Sequence, residues 1–251
     1  MAPSKSGFDP ERLMSNKGSP MPAIPAATVI LLRDGPDGLS TLMLRRNPSG
    51  IFGGLWVFPG GRVEDSDHQL AKTLLGSDGE PLDPLEATMR IAAARETIEE
   101  CSLLLEPGQM VPFSRWLPPP QTPKRFDTWF FVAPAAAGDV AIDGQEIHDH
   151  IWLPPKQVIE RRNAGELDLA PPTFVTLSEL AHASSVAEAI QLASLRQPLP
   201  FYESRFSASG EPVLMWSEDA GYETSDASLS GAQHRLLMGS GPWQYIRELE
   251  S

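Results

Sequence analysis

Along the chain, apolar and polar positions fall into runs of differing period. Ala27 to Arg33 and Leu39 to Arg46 are β-rich, and the Asp34-Gly35-Pro36-Asp37-Gly38 segment between them predicts a hairpin with a longer loop. A third apolar run, Leu55-Trp56-Val57-Phe58, stops at Pro59-Gly60-Gly61, where paired glycines predict a tight turn with open backbone. From Asp65 to Asp83 the pattern is polar, with room for a short helix near Gln69 to Leu75. Asp83, Pro84 and Glu86 then mark a helix start, as an N-cap, a first-position proline and first-turn negative charge. That helix is expected to reach about Leu105. Phe126-Asp127-Thr128-Trp129-Phe130-Phe131-Val132 alternates as a half-buried strand does, and Glu146 to Leu153 is a further strand candidate. After Pro154-Pro155, short helices are expected around Lys156 to Asn163, around Thr173 to His182 and from Ser185, which with Glu188 has the spacing of a capping box. Leu199 to Phe206, Glu211 to Trp216 and His234 to Met238 are candidate late strands. Residues 1–25 lack periodicity and read as a tail, residues 26–155 as the main domain with an excursion at about 68–82, and residues 156–251 as an extension packed on it.

Composition narrows the classes this pattern allows. With 41% apolar residues in 251, the chain has material for a core, despite 25 prolines and 20 glycines. Twenty Lys and Arg against 33 Asp and Glu leave a formal charge of −13, which repels nucleic-acid polymers and anionic membranes unless cations occupy the acids. Cys101 is the single cysteine, so no intrachain disulfide and no multi-cysteine metal site can form. The apolar stretch Met21 to Leu32 is interrupted by Pro22 and Pro25 and is too short to cross a bilayer. No basic and apolar leader pattern precedes it, and a cytoplasmic protein with no membrane partner is expected.

The helix from Pro84 concentrates the chemistry. At helical spacing, Ala87, Ile91, Ala94, Ile98, Cys101 and Leu105 form one stripe, expected to face the core. Opposite it, Glu96, Glu99 and Glu100 share a face at i, i+3 and i+4. Glu99 can pair with Arg95, whereas Glu96 and Glu100 have no basic residue within helical reach, and like charges one turn apart repel. Such a cluster is either a solvated acidic face or a site for a hard divalent cation, which takes oxygen ligands and is usually shared with substrate phosphates. His148 and His150, two apart on a strand, are either surface histidines or a metal pair.

Gly61, Arg95-Glu96 and Glu99-Glu100, preceded by Phe58-Pro59-Gly60-Gly61 at a strand end, resemble the box that defines the Nudix hydrolase family, G-x5-E-x7-R-E-U-x-E-E-x-G-U. Asp67 stands where the box has its first glutamate, and about 20 residues are inserted before Arg95. An insertion there resembles the long-box subgroup that includes peroxisomal coenzyme A diphosphatases. Leu42-Met43-Leu44-Arg45-Arg46, Trp116, the Arg125 to Phe131 run and Asp168-Leu169-Ala170-Pro171-Pro172-Thr173 are similar to that subgroup as well. The coenzyme A signature is met in part, with Gly50 at the position of its second arginine. Ser102 and Thr97 replace the box glycine and an aliphatic residue, and the loss of that glycine suggests a helix that continues through Leu103-Leu104-Leu105.

The resemblance implies an α/β/α sandwich with a mixed sheet, and a catalyst that cleaves a small-molecule diphosphate linked to a nucleoside. It implies Mg2+ or Mn2+ held by Glu96, Glu99, Glu100 and the Gly60 carbonyl, with Arg95 orienting those ligands through Glu99. Glu146 is the candidate general base. Arg45 and Arg46 are candidates to neutralise substrate phosphate, and Trp56 or Trp129 to stack a base, each against a plain structural role as a strand end or core aromatic. Coenzyme A or an acyl-coenzyme A, an ADP-ribose or nucleotide sugar, and a non-catalytic binding module remain distinct functional readings. The extension could complete the sheet, cover the substrate or form a homodimer.

Overall fold

The computed structural model describes residues 8, 15, 16, 18–48, 53–76, 78–208 and 210–249. Gly50 and most of the expected N-terminal tail lie outside these residues. Eight strands form one mixed sheet: β1 (Ile24–Gly35), β2 (Gly38–Arg46), β3 (Trp56–Val57), β4 (Gly60–Arg62), β5 (Val111–Leu117), β6 (Phe126–Pro134), β7 (Ile147–Leu153) and β8 (Phe201–Glu203). Its order is β3-β2-β1-β6-β5-β8, with β4 paired to β1 and β7 to β2. β1 with β6 and β5 with β8 run parallel, and the other pairs antiparallel. A second, antiparallel sheet holds β9 (Arg205–Phe206), β10 (Val213–Met215), β11 (Gln233–Leu237) and β12 (Gln244–Glu248). The helices are α1 (Asp65–Leu70), α2 (Pro84–Cys101), α3 (Pro155–Asn163), α4 (Pro171–Leu180) and α5 (Val186–Ser194). None of the helices described is long and apolar enough to cross a membrane.

Alternation along the strands divides the core between the two faces of the main sheet. Ala27, Val29 and Leu31 of β1, Leu42 and Leu44 of β2 and Phe131 of β6 meet Met89, Ala92 and Ala93 of α2 on one face. Ile30, Met43, Phe130 and Val132 meet α4, α5 and the second sheet on the other, through Phe174, Leu177, Ala189, Trp216 and Leu236. The layered α/β/α arrangement with a mixed sheet is therefore present, with an added C-terminal sheet. Tyr202 of β8, Phe206 of β9 and Trp216 after β10 are buried between the two sheets: Tyr202 stacks on Trp116 at 4.0 Å and lies edge-on to Trp216.

Several local expectations change. The first hairpin is tighter than predicted, because Gly35 pairs with Gly38 and leaves only Pro36-Asp37 as the turn. β1 starts at Ile24, since Ile24 and Pro25 already pair with Phe126 and Asp127. The short helix after β4 begins at Asp65 instead of Gln69, drawn back by Asp67, which accepts from the Glu64 amide. β5 escapes the pattern because Pro112 interrupts its alternation, and proline is tolerated there by the register shift between Pro112 and Ser114. β12, a polar edge strand, also goes unseen. Ser185 caps α5 by accepting from the Glu188 amide, but the Glu188 carboxylate binds Ser184, so the reciprocal half of the box is missing.

The largest correction concerns α2. Asp83 caps its start as expected, accepting from Leu85 and Glu86. It ends at Cys101 and not near Leu105, because Ser102 takes the left-handed conformation (φ 59°) even without the glycine. The Ser102 hydroxyl donates to the Ala141 carbonyl, and the Ala141 amide donates to the Cys101 carbonyl. A tertiary strap thus supplies what the glycine would have supplied. Of the expected Ala87-Ile91-Ala94-Ile98-Cys101-Leu105 stripe, Ala87, Ala94 and Cys101 are buried, but Ile98 is 45% exposed, and the core face shifts to take in Met89, Ala93, Thr97 and Glu100. Cys101 remains buried, donating to the Thr97 carbonyl, and burial pushes its thiol up to about 11, an inert packing residue.

The C-terminal sheet closes on a buried ion pair. Asp219 accepts from Arg235 at 2.6 and 2.7 Å and from the Gly221 and His234 amides, while Arg235 also donates to the Ala227 carbonyl. Asp219→Ala leaves that guanidinium buried without its partner, and we expect a loss of about 3–5 kcal/mol, read from the shift of the urea unfolding midpoint.

Candidate active site

The site forms where α2 passes the corner between β3 and β4. Gly60 lies against β1 so closely that a Cβ there would meet the Ala27 carbonyl and Thr28, and the Thr28 hydroxyl donates to the Pro59 carbonyl. A Cβ on Gly61 would strike the Glu96 carboxylate. Glycine is needed at both positions for close approach. Glu96 and Glu100, one helical turn apart, therefore both rest on this corner, and the Gly60 amide donates to Glu100 at 2.9 Å. The Glu100 side chain is only 5% exposed.

Asp67 and Arg95 lock the cluster from one side. Asp67 is fully buried and receives Arg95 through two bonds of 3.0 Å, while Arg95 also reaches the Arg62 carbonyl, Glu96 at 3.0 Å and Glu99 at 3.2 Å. Burial works against the guanidinium charge, yet the Asp67 bond and the charges of Glu96 and Asp67 raise its pKa further. The Arg95–Glu99 pair expected from helical spacing is present. Asp67 is no peripheral carboxylate: one methylene shorter than glutamate, it is brought to Arg95 by α1, so the insertion that follows it leaves the contact intact.

Arg46 enters from the other side, at 3.5 Å from Glu100 and 3.2 Å from Glu146. Glu100 thus has a basic neighbour after all, supplied by tertiary structure where helical spacing offered none. Glu146 precedes β7 in a turn whose amides, its own included, donate to Asp143, and its carbonyl accepts from the Asn47 amide. Its side chain is 66% exposed beside the acidic cluster. Alternation separates the remaining candidates. Arg45 pairs across the sheet with Trp56, and Trp56 packs on the core face opposite α2, so neither joins the carboxylates. Trp129 packs with the α2-side core, stacked near Phe131, and its indole N–H is buried without a partner. His148 is exposed and His150 partly so.

Among the described residues, no three His, Cys, Asp or Glu side chains converge closely enough to hold a metal ion; the two arginines hold the acids in pairs instead. The donor chemistry nonetheless suits a hard cation. Burial pushes the Glu100 carboxyl up to about 8, against the Gly60 amide and Arg46 and reinforced by Glu96 and Glu146. Glu96 is raised too, chiefly by burial and against the pull of Arg95. The cluster holds more carboxylates than cationic side chains, its ligating atoms are all oxygens, and the Gly60-Gly61 corner lies against it.

Sequence reasoning had placed Glu96, Glu99, Glu100, Arg95 and Gly60 together. It missed the inward turn of Glu100, the burial of Asp67 and the bridging by Arg46. The available signal was the alternation of β2, which puts Arg46 on the same face as Leu42 and Leu44 and hence toward α2.

A sequence model of the NUDIX domain matches residues 22–173, more than half of the chain. The chain is 26% identical over 250 aligned positions to the acyl-coenzyme A diphosphatase NUDT19 of Gallus gallus, covering 64% of this chain and 66% of that one. Against the protein of the same name from Xenopus laevis the identity is 24%, covering 59% and 60%. The chain therefore spans just under two thirds of the length of these relatives. A NUDIX hydrolase of solved structure from Alicyclobacillus acidocaldarius superimposes with a TM-score of 0.61 at 24% identity, over 70% of this chain and 98% of that one, which shows a shared fold. The chain belongs to the Nudix hydrolase family.

Proposed function

We propose that this protein is a metal-dependent diphosphatase that hydrolyses the phosphoanhydride linkage of a nucleoside-diphosphate-linked small molecule, with coenzyme A or an acyl-coenzyme A as the leading substrate class. The observation that carries this reading is the seating of Glu96 and Glu100 on the Gly60-Gly61 corner, with a surplus of carboxylates around them. Retention of all three helix carboxylates favours a catalyst over a binding module built on the same fold. The similarity to acyl-coenzyme A diphosphatases supports the substrate class. We assign residues 26–155 as the catalytic domain, residues 156–251 as an extension packed on it, and residues 1–25 as a tail.

In this reading Glu96, Glu99, Glu100 and the Gly60 carbonyl hold Mg2+ or Mn2+, as is typical of the family. A divalent cation bound there lowers the pKa of water and withdraws charge from phosphoryl oxygens. Arg95, anchored on Asp67, fixes the rotamers of Glu96 and Glu99. Glu146 accepts the proton of the attacking water, being open to solvent and held by its turn. Arg46 meets the diphosphate on the α2 side. Arg45 and Trp56, on the far face of the same strands, are offered to the part of the substrate that extends past β3.

Incubation with Mg2+ and a panel of coenzyme A, acyl-coenzyme A, ADP-ribose and nucleotide sugars, with products identified by mass, tests the reading directly. We expect the coenzyme A compounds, with addition of one water, to give adenosine 3′,5′-bisphosphate and 4′-phosphopantetheine or its acyl form. Cleavage of ADP-ribose or a nucleotide sugar alone would reassign the substrate, and cleavage of nothing on the panel would sink the catalytic reading.

Glu99→Gln and Glu100→Gln should each lower kcat by about 10²- to 10³-fold, the size of losing several kcal/mol of charge stabilisation in the transition state. Asp67→Ala, which touches no substrate, should weaken Mn2+ binding by about 10- to 100-fold, measured by titration calorimetry, as loss of an outer support for metal ligands typically does.

A further inference from the structure

The two arginines of the site are held in unlike ways. Arg95 has a fully buried anchor in Asp67 and a backbone carbonyl in Arg62, so it keeps its place whatever becomes of Glu96 and Glu99. Among the described residues, the ion pairs of the Arg46 guanidinium go to Glu100 and Glu146, at 3.5 and 3.2 Å, and its charge also acts on Asp143. Its main chain, by contrast, is fixed: the Arg46 amide donates to the Leu55 carbonyl, its own carbonyl accepts from the Gly54 amide, and the β2–β7 register shifts at Arg45/Arg46. A flexible side chain on a fixed stem thus rests on two acids, one of them seated on the metal corner, and is 31% exposed.

We propose that Arg46 is a placeholder cation: it bridges Glu100 and Glu146 while the site is free of metal, and metal uptake transfers it to the phosphate of the incoming substrate. The inference rests on the diphosphatase reading and assigns to Arg46 the coupling between metal and substrate. Arg46 and a divalent cation compete for Glu100, so each weakens the hold of the other. A substrate diphosphate, by engaging the guanidinium, takes that competitor away and tightens metal binding. By linkage the metal strengthens substrate binding by the same factor. Bidentate geometry matters here, because only a guanidinium fork spans both carboxylates while presenting paired donors to a phosphate; a lysine at this position would carry the charge without the span.

The test is a Mn2+ titration of the metal-stripped full chain by calorimetry, for the wild type, Arg46→Gln and Arg46→Lys, with and without methylenediphosphonate as a non-hydrolysable diphosphate. Without the diphosphonate, both variants are expected to bind Mn2+ more tightly than the wild type, by at least about 5-fold, the lower end of ordinary coupling between sites. Addition of the diphosphonate should tighten Mn2+ binding in the wild type by a larger factor than in either variant. Mn2+ affinities equal in all three proteins would overturn the proposal. So would tightening in Arg46→Gln with Arg46→Lys unchanged, since that outcome needs charge alone and no bridge. A wild type that takes up no Mn2+ overturns the diphosphatase reading, and the placeholder with it, whereas normal uptake with no effect of Arg46 removes the placeholder alone.

Discussion

Everything in the site follows from how closely α2 approaches the Gly60-Gly61 corner. Side chains at those positions would collide with β1 on one side and with Glu96 on the other, so the corner exists only as bare backbone. That contact brings two carboxylates of one helix to the same peptide and buries Glu100 where a carboxylate is poorly solvated. The cost of desolvation is met partly by the Gly60 amide and partly by Arg46. A helix set farther out would leave the same glutamates hydrated on its surface.

The main sheet separates two tasks. Its α2 face carries the acids and the two arginines that pair with them. Its other face carries α4, α5 and the second sheet, which is joined to it by the edge-on contacts of Trp116 and Tyr202 with Trp216. On that side the Glu179 carboxylate accepts from Tyr202 at 2.8 Å and from Arg196 at 3.0 Å, so its charge and hydrogen-bonding capacity are used in holding α4 to β8 and to the end of α5. Rigidity on this face fixes β1 and β2, and with them the positions of Thr28 and Arg46.

Much of this was legible in residue order, because the relevant signals were local. The N-cap at Asp83, the glycine pair, the spacing of Glu96, Glu99 and Glu100, and the alternation of β6 depend on neighbours a few positions away. What failed was long-range. The end of α2 is set by Ala141, some forty residues on, and Ser102 accepts a left-handed conformation because of that strap. The core face of the helix was misjudged because Ile91 and Ile98 attracted the apolar stripe, whereas small residues, Ala92 and Ala93, are what allow a sheet to come close. The role of Asp67 depended on an insertion whose path no local pattern reveals, and Arg46 came to Glu100 from another strand.

The short strand β8 carries a consequence beyond its three residues. It lies in parallel along Arg115, Trp116 and Leu117 of β5, far in sequence from the matched domain, which ends at residue 173. Without it, β5 would present unpaired amides and carbonyls next to Trp116 and Phe113, an invitation for a strand of another molecule to dock. The later part of the chain thus covers an edge of the main sheet, and the unit defined by family likeness is smaller than the unit in which that edge is paired.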